Sequence, residues 1–443
     1  MLRPYQTDAI DRLRAAFRLH RRVVLVIATG GGKTVIGSEI ARRIVGNGQR
    51  VLWLAHRAEL VDQAAATLTR LGLTVGAFSA SAQTPCNPFA PVQVATIQTM
   101  LKRPRADWPK AGFIVFDECH HAVADEWLTV VQQYPDVLTL GLTATPERTD
   151  GRGLDRLFLG LVVGATPKQL TADGHLVPCE IIRPERFLAS GEIAQSPVDA
   201  YRAHAAGRLA VVFARGVDLA NQYTEEFRMH GVEARCISDD TPRAERALYL
   251  EAFRAGRVRV LCNVHVLTEG FDAPETSCVV LARGCSTAGA YLQMVGRALR
   301  TAPGKKDALL IDLRGVSHEF GEPADDRVYS LDGRGIRRAD SIVYCPVCGA
   351  EREAGEGCES CGWTPANDGL KPDTVTGDPL VKYARLRQDN EEGRAARLAK
   401  WLTAARERGH RDGAAHYKYK AVYGNWPTTE IKLAAQALSR GAA

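Results

Sequence analysis

Short runs of apolar, often β-branched residues recur along the first three hundred positions, and stretches with helical spacing fill the intervals. The first series reads VVLVIA from Val23, VLWLA from Val51, VQVAT from Val92, FIVFD from Phe113 and LTLGLT from Leu138. Strand, helix, strand alternation of this kind predicts a parallel sheet covered by helices. A second series follows, with LAVVFA from Leu209, ARCIS from Ala234, VRVLCNV from Val258, SCVVLA from Ser277 and ALLIDL from Ala308. Two similar α/β lobes are the economical reading. The stretch GATPKQLTADGHLVPCEIIRPE between them has Pro, Gly and no sustained period, which places the junction there. The expected layout is a first lobe over 1–165, a connection over 166–200 and a second lobe over 201–320. A Gly-, Asp- and Arg-rich linker over 321–340, a Cys-rich module over 341–366 and a basic helical region over 367–443 complete it, with the helical pattern running from about Pro379 to Arg408.

With 443 residues, 45% hydrophobic and 24% charged, the chain has the balance of a folded multidomain protein rather than a disordered one. Its longest early apolar run, Val23–Ala28, is far short of the roughly 20 residues that span a bilayer, so no membrane role is expected. The opening residues MLRPYQTDAI contain an acidic group and no apolar core, which argues against a signal peptide and for a cytoplasmic location. A net charge of +6 suits a polyanionic partner without demanding one.

The first apolar strand runs directly into Thr29, Gly30, Gly31, Gly32, Lys33 and Thr34, and then into the helical pattern TVIGSEIARRIV. Consecutive glycines at a strand-to-helix turn let backbone N–H groups close around phosphates, Lys33 adds positive charge, and the Thr34 hydroxyl suits Mg²⁺. The full GxxxxGK[ST] pattern would put a small residue at Ile27, and here it is β-branched. Downstream, FIVFD ends in Asp117 and Glu118. In that position Asp117 can hold Mg²⁺, and Glu118 can orient and deprotonate a water that attacks a phosphoryl group. Cys119, His120 and His121 follow, but consecutive residues at a strand end make a poor metal-ligand set.

Taken in order, ATGGGKT (28–34), DECH (117–120) and TATPER (143–148) resemble motifs I, II and III of superfamily 2 DEAD/DEAH-box helicases. RPYQ at 3–6 resembles their adenine-reading segment, LAHRAELVDQ (54–63) and VATIQTM (94–100) resemble motifs Ia and Ib, and VLTEGFDAP (266–274) and QMVGRALR (293–300) resemble motifs V and VI. DTP at 240–242 and LLIDLRG at 309–315 bring the likeness nearest to RadD-like bacterial repair helicases and to helicases of phages and prophages, so the cell would be bacterial or phage-infected. The resemblance implies two tandem RecA-like parallel-sheet lobes, followed by a small zinc ribbon and a helical tail. It also implies ATP with Mg²⁺, the ion held through Thr34 and Asp117.

In site terms the resemblance implies Glu118, Arg297 and Arg300 as catalytic, the two arginines reaching the γ-phosphate from the second lobe. Gln6, Thr29, Gly30, Gly31, Gly32, Lys33, Thr34, Asp117, Gly270 and Asp272 would bind nucleotide. His120, Thr143, Thr145 and Gln293 would couple the nucleotide state to the tracked strand, while His56, Arg57, Thr96, Gln98 and Thr268 would touch nucleic acid.

Cys345 and Cys348, then Cys358 and Cys361, form two CxxC pairs, each followed at once by glycine. Four thiolates at this spacing predict a closed tetrahedral zinc site, structural rather than catalytic. Two disulfides would be disfavoured in a cytoplasmic chain. Whether that module only staples its segment or also grips nucleic acid stays open. The tail mixes Lys and Arg with Trp401, His416, Tyr417, Tyr419, Tyr423 and Trp426, a composition suited to phosphate contact and base stacking, or equally to a solvated amphipathic hairpin. The expected function is an ATP-dependent DNA helicase or translocase in replication, recombination or repair, with DNA favoured over RNA and a replication or repair protein as a candidate partner. An RNA helicase and an ATP-gated adaptor that does not unwind are the alternatives.

Overall fold

The computed structural model describes residues 2–78, 84–121, 124–148, 153–188, 191–264, 267, 273–325, 327–332, 337–338, 342–344, 351–353 and 373–382, and in the tail 395, 398–399, 401–403, 406, 415–416, 419 and 427–440. These fall into two compact units, Met1–Lys382 and Tyr383–Ala443.

The larger unit opens with α1 (Pro4–Phe17), β1 (Arg22–Val26), α2 (Lys33–Gly46), β2 (Val51–Ala55), α3 (Ala58–Arg70), β3 (Val75–Ala77), β4 (Val92–Thr96), α4 (Ile97–Leu101), β5 (Phe113–Asp117), α5 (Ala124–Gln133), β6 (Leu138–Thr143) and β7 (Gly160–Val163). The strands form one sheet in the order β3-β4-β2-β5-β6-β1-β7, every pair parallel. Parallel strands are covered on both faces, so their sequences run continuously apolar instead of alternating. Every residue of β2, β4 and β5 is buried accordingly. On one face Phe116 packs edge-on against fully buried Trp127, ring centroids 4.2 Å apart. Because β1, β5 and β6 lie together at the sheet centre, the segments after Val26, Asp117 and Thr143 emerge side by side at its carboxyl edge, where open α/β sheets place their ligands.

Next come α6 (Pro167–Ala172), β8 (Cys179–Pro184), β9 (Glu192–Ile193), α7 (Pro197–His204), β10 (Ala210–Phe213), α8 (Val217–Met229), β11 (Ala234–Ile237), α9 (Arg243–Arg254), β12 (Val260–Asn263), β13 (Cys278–Leu281), α10 (Ala288–Gly296), β14 (Ala308–Asp312) and α11 (Val316–Phe320). The second sheet runs β11-β12-β10-β13-β14-β8, again parallel. A short strand, Leu380–Lys382, closes its far edge antiparallel to β8.

Two expectations need correction here. The segment 166–200 is more than a connection, since β8 lies within it and hydrogen-bonds to β14. Residues 373–382 do not begin a helix: they return to the second sheet. Thr374–Val375 pairs with β9, and Leu380–Lys382 covers the row of N–H and C=O groups that β8 would otherwise present unpaired. Side chains fasten this return. Asp373 forms a 2.7 Å ion pair with Arg215, both nearly covered, and accepts a 2.5 Å hydrogen bond from the Tyr223 hydroxyl.

The smaller unit contains the helix Thr429–Arg440 and a core in which Leu398, Leu402, Ala415, Tyr419, Ile431 and Ala435 are buried, with Trp401 packed against it. Tyr419 is only 1% exposed, so this ring serves packing and is not available to stack on a base. Tyr417, Tyr423 and Trp426 lie outside the described residues, as do Cys345, Cys348, Cys358 and Cys361. Among the described residues, no helix is long and apolar enough to cross a membrane.

Candidate nucleotide site between the lobes

The loop from Ala28 to Gly32 owes its shape to glycine. Gly30 and Gly32 have φ of +86° and +82°, a region that costs other residues on the order of 1 kcal/mol. A Cβ on Gly32 would also lie 2.5 Å from Gln6 Nε2 and would have to displace that amide. Gly32 is the N-terminal cap of α2, and no side chain caps that end. Its first N–H groups therefore face the cleft, as anion binding requires. The segment before α1 is part of the same assembly: the Tyr5 hydroxyl donates to the Gly31 carbonyl at 3.1 Å, and Gln6 Oε1 accepts from the Arg3 N–H at 3.0 Å.

At the end of β5, Asp117 is 4% exposed and accepts from the Glu118 N–H at 3.1 Å. Glu118 has φ of +47°, and it is the one non-glycine residue with positive φ among the described residues. Such strain concentrates at functional positions, where surrounding contacts hold it in place. Here it accompanies a 3.1 Å ion pair between the Glu118 carboxylate and Lys33 Nζ, with only 13% and 10% of the two side chains exposed. Burial, then the neighbouring Glu118 charge, pushes the Asp117 carboxyl above its ordinary range against the pull of Lys33. A buried carboxylate short of positive charge, with the Thr34 hydroxyl on the same cavity wall, is a hard-oxygen donor set that fits Mg²⁺. His120 and His121 sit in a 3-10 turn, Cys119–His121, not on a strand end.

The second lobe completes the cleft. Arg297 and Arg300 line a cavity of about 390 Å³ together with Thr29, Gly30, Gly32, Lys33, Thr34, Asp117 and Glu118. Arg297 is 6% exposed. Beside the cavity, Gln293 Nε2 lies 2.8 Å from His120 Nε2, and His120 Nδ1 lies 3.0 Å from Thr143 Oγ1. The Thr143 hydroxyl donates to the Thr145 carbonyl at 2.6 Å, so its oxygen accepts from Nδ1–H, which leaves His120 Nε2 to accept from the Gln293 amide. The four residues expected to couple the nucleotide state to the tracked strand thus form one hydrogen-bonded chain.

The expected strand-contacting residues are more dispersed. The His56 ring stacks on His121 at 4.0 Å, Arg57 lines a second interlobe cavity, and Gln98 is exposed. Thr96 is 9% exposed, and its hydroxyl caps α4 by accepting from the Thr99 N–H at 3.3 Å. Thr268, Gly270 and Asp272 lie outside the described residues. Sequence reasoning missed two ion pairs that join α3 to α9 across the lobes, Arg243 with Asp62 at 2.6 Å and Arg246 with Glu59 at 3.3 Å.

Residues 1–148 match the family described as the res subunit of type III restriction enzymes. Residues 196–302 match the helicase conserved C-terminal domain. The two halves of one motor therefore stand in tandem. The chain belongs to helicase superfamily 2. Its members are nucleic-acid-dependent ATPases, and its two lobes have the family's tandem RecA-like architecture. A 51.5 kDa protein of a Lactococcus phage is 29% identical over 359 residues, covering 75% of this chain and 76% of that one. The IRC3 protein of Saccharomyces cerevisiae is 27% identical over 359 residues, covering 72% of this chain. This superfamily 2 chain spans only about half, 52%, of the yeast protein's length. The DNA 3'-5' translocase XPB2 of Sulfurisphaera tokodaii is 23% identical over 374 residues, covering 70% of this chain and 81% of that one.

Proposed function

We propose that the chain is an ATP-driven motor that hydrolyses ATP between its two lobes and thereby moves along or unwinds DNA in replication, recombination or repair. The observation that carries this reading is a cleft in which Lys33, Asp117 and Glu118 of one lobe face Arg297 and Arg300 of the other. In this reading Gln6, whose amide lies beside Gly32, contacts adenine. The loop's N–H groups and Lys33 take the phosphates. Without nucleotide Lys33 holds the Glu118 carboxylate; a γ-phosphate would compete for Lys33 and leave Glu118 to orient and deprotonate the attacking water. Thr34 and Asp117 would hold Mg²⁺, which when bound neutralises charge developing on the phosphates. Arg297 and Arg300 stabilise the same charge from the other side. Opposite-lobe placement makes closure follow the nucleotide, and the Gln293–His120–Thr143–Thr145 chain carries that state toward the strand-facing surface. Thr268, Gly270 and Asp272 belong to this reading by motif alone.

DNA is the proposed track because a DNA translocase and restriction-enzyme subunits are among the chain's relatives. Steady-state ATPase assays with single-stranded DNA, forked DNA, duplex DNA and RNA should show several-fold stimulation by DNA above that by RNA. Stimulation by RNA alone would reassign the track, and turnover indifferent to every nucleic acid would favour an ATP-gated adaptor.

The four cysteines at 345–361 are proposed to hold one structural zinc ion. Elemental analysis should find about one zinc per chain, lost from a Cys345→Ser, Cys348→Ser double variant. A metal-free native protein would remove the ribbon from the proposal.

A further inference from the structure

The helix that carries Gln293 and leads into Arg297 meets the first lobe along a single stripe. Gly289, Gln293 and Gly296, four and three residues apart, lie on one face of α10. A Cβ on Gly289 would lie 3.0 Å from Thr145 Oγ1, and one on Gly296 2.8 Å from the Thr29 side chain. Between them sits the 2.8 Å contact of Gln293 with His120. One stripe thus touches the segments that follow β6, β5 and β1.

Something must set where that stripe begins. At the N-terminus of α10 the Thr287 hydroxyl accepts from the Ala290 N–H at 3.2 Å. The Gly289 N–H, in the first turn, has no intrahelical carbonyl to meet. Glu147 of the first lobe lies beside it, on the wall of a cavity that Thr287 and Gly289 also line, and this N–H favours the ionised carboxyl. One carboxyl oxygen, Oε2, is buried without a hydrogen-bond partner. Glu147 lies on the wall of an interlobe cavity of about 280 Å³.

We propose that Glu147 is an interlobe positioning residue: by docking on the first turn of α10 it fixes the stripe in register and so sets Arg297 against the nucleotide. The proposal rests on the motor reading and adds a residue that the mechanism above does not use. It also has a proton consequence. Burial pushes the Glu147 carboxyl up to about 7, with the Gly289 N–H pulling the other way. Arg57, His120, His121, Arg283 and Cys285 share its cavity, and the arginines would favour the ionised form. Lobe separation that exposes Glu147 to water would return it toward an ordinary carboxylate. Between that ordinary value and about 7, closure therefore takes up a proton, and above it closure has to bury the ionised form.

The test is binding of the non-hydrolysable analogue AMP-PNP to the full chain, with and without single-stranded DNA, by calorimetry at pH 6.5 in buffers of different ionisation heat. In the wild type, DNA should tighten analogue binding, with proton uptake. Glu147→Ala should lose about tenfold of that coupling while binding the analogue without DNA as before. Glu147→Gln, a stand-in for the neutral acid, should keep the coupling and abolish the uptake. Gly289→Ala, whose Cβ would press on Thr145, should lose coupling with Glu147 intact. Undiminished coupling in Glu147→Ala, or loss of coupling in Glu147→Gln, would overturn the proposal while leaving the motor reading in place. A wild type in which DNA and nucleotide bind independently would overturn both.

Discussion

Glu118→Gln is expected to lower DNA-stimulated ATP turnover by a factor of about 10² to 10⁴, the usual contribution of a positioned general base, while ATP affinity is kept or raised. Glu118 is the residue at the carboxyl edge of the sheet whose carboxylate reaches the cavity without being consumed by backbone structure; its charge is held by Lys33 at 3.1 Å. The amide keeps the volume but can neither accept a proton from water nor ion-pair with Lys33. The chemical step is lost, and Lys33 is left more available to phosphate. Backbone strain does not confound the result, because Gln meets the same steric limits as Glu at φ of +47°. Steady-state turnover and equilibrium ATP binding on the same preparation check both halves. A loss of only two- or threefold would mean that another group activates the water.

Arg297→Ala should reduce kcat by about 10³, at the low end of what an arginine finger contributes, with ATP binding changed little. The phosphate loop and Asp117 belong to the first lobe, so ground-state binding does not need Arg297, whereas charge developing on the transferred phosphoryl group does. Lysine should not restore the rate, since a point charge on a flexible stem does not replace a planar fork. A geometric counterpart keeps the charge. In Gly296→Ala a new Cβ would lie 2.8 Å from the Thr29 side chain, holding α10 and its arginine off the first lobe. That variant should share the kinetic defect of Arg297→Ala. Normal turnover in both variants would show that the cleft works without the second lobe's approach.

Several parts of this molecule were legible because they are local. The apolar runs at Val23, Val51, Val92, Phe113 and Leu138 became five parallel strands of one sheet, since a strand covered on both faces has to be apolar throughout. The phosphate loop is written in glycines that take positive φ, and the acidic pair follows directly from the end of β5. Other parts depend on partners distant in sequence. β8 and Leu380–Lys382 look like connection and helix start until each meets the other's edge. Asp373 is an unremarkable acid until Arg215 and Tyr223 surround it. Tyr419 reads as a candidate base-stacking ring, yet tertiary packing buries it.

The sequence by itself therefore determined the central strands of the two sheets and the glycine-rich loop between β1 and α2, because each depends on side-chain period or backbone freedom within a few residues. Only the tertiary structure decided which polar groups meet. Lys33 with Glu118, Gln293 with His120 and α3 with α9 are contacts between segments far apart in the chain, and they exist because packing two apolar sheets and their helices brings their polar edges to one cleft.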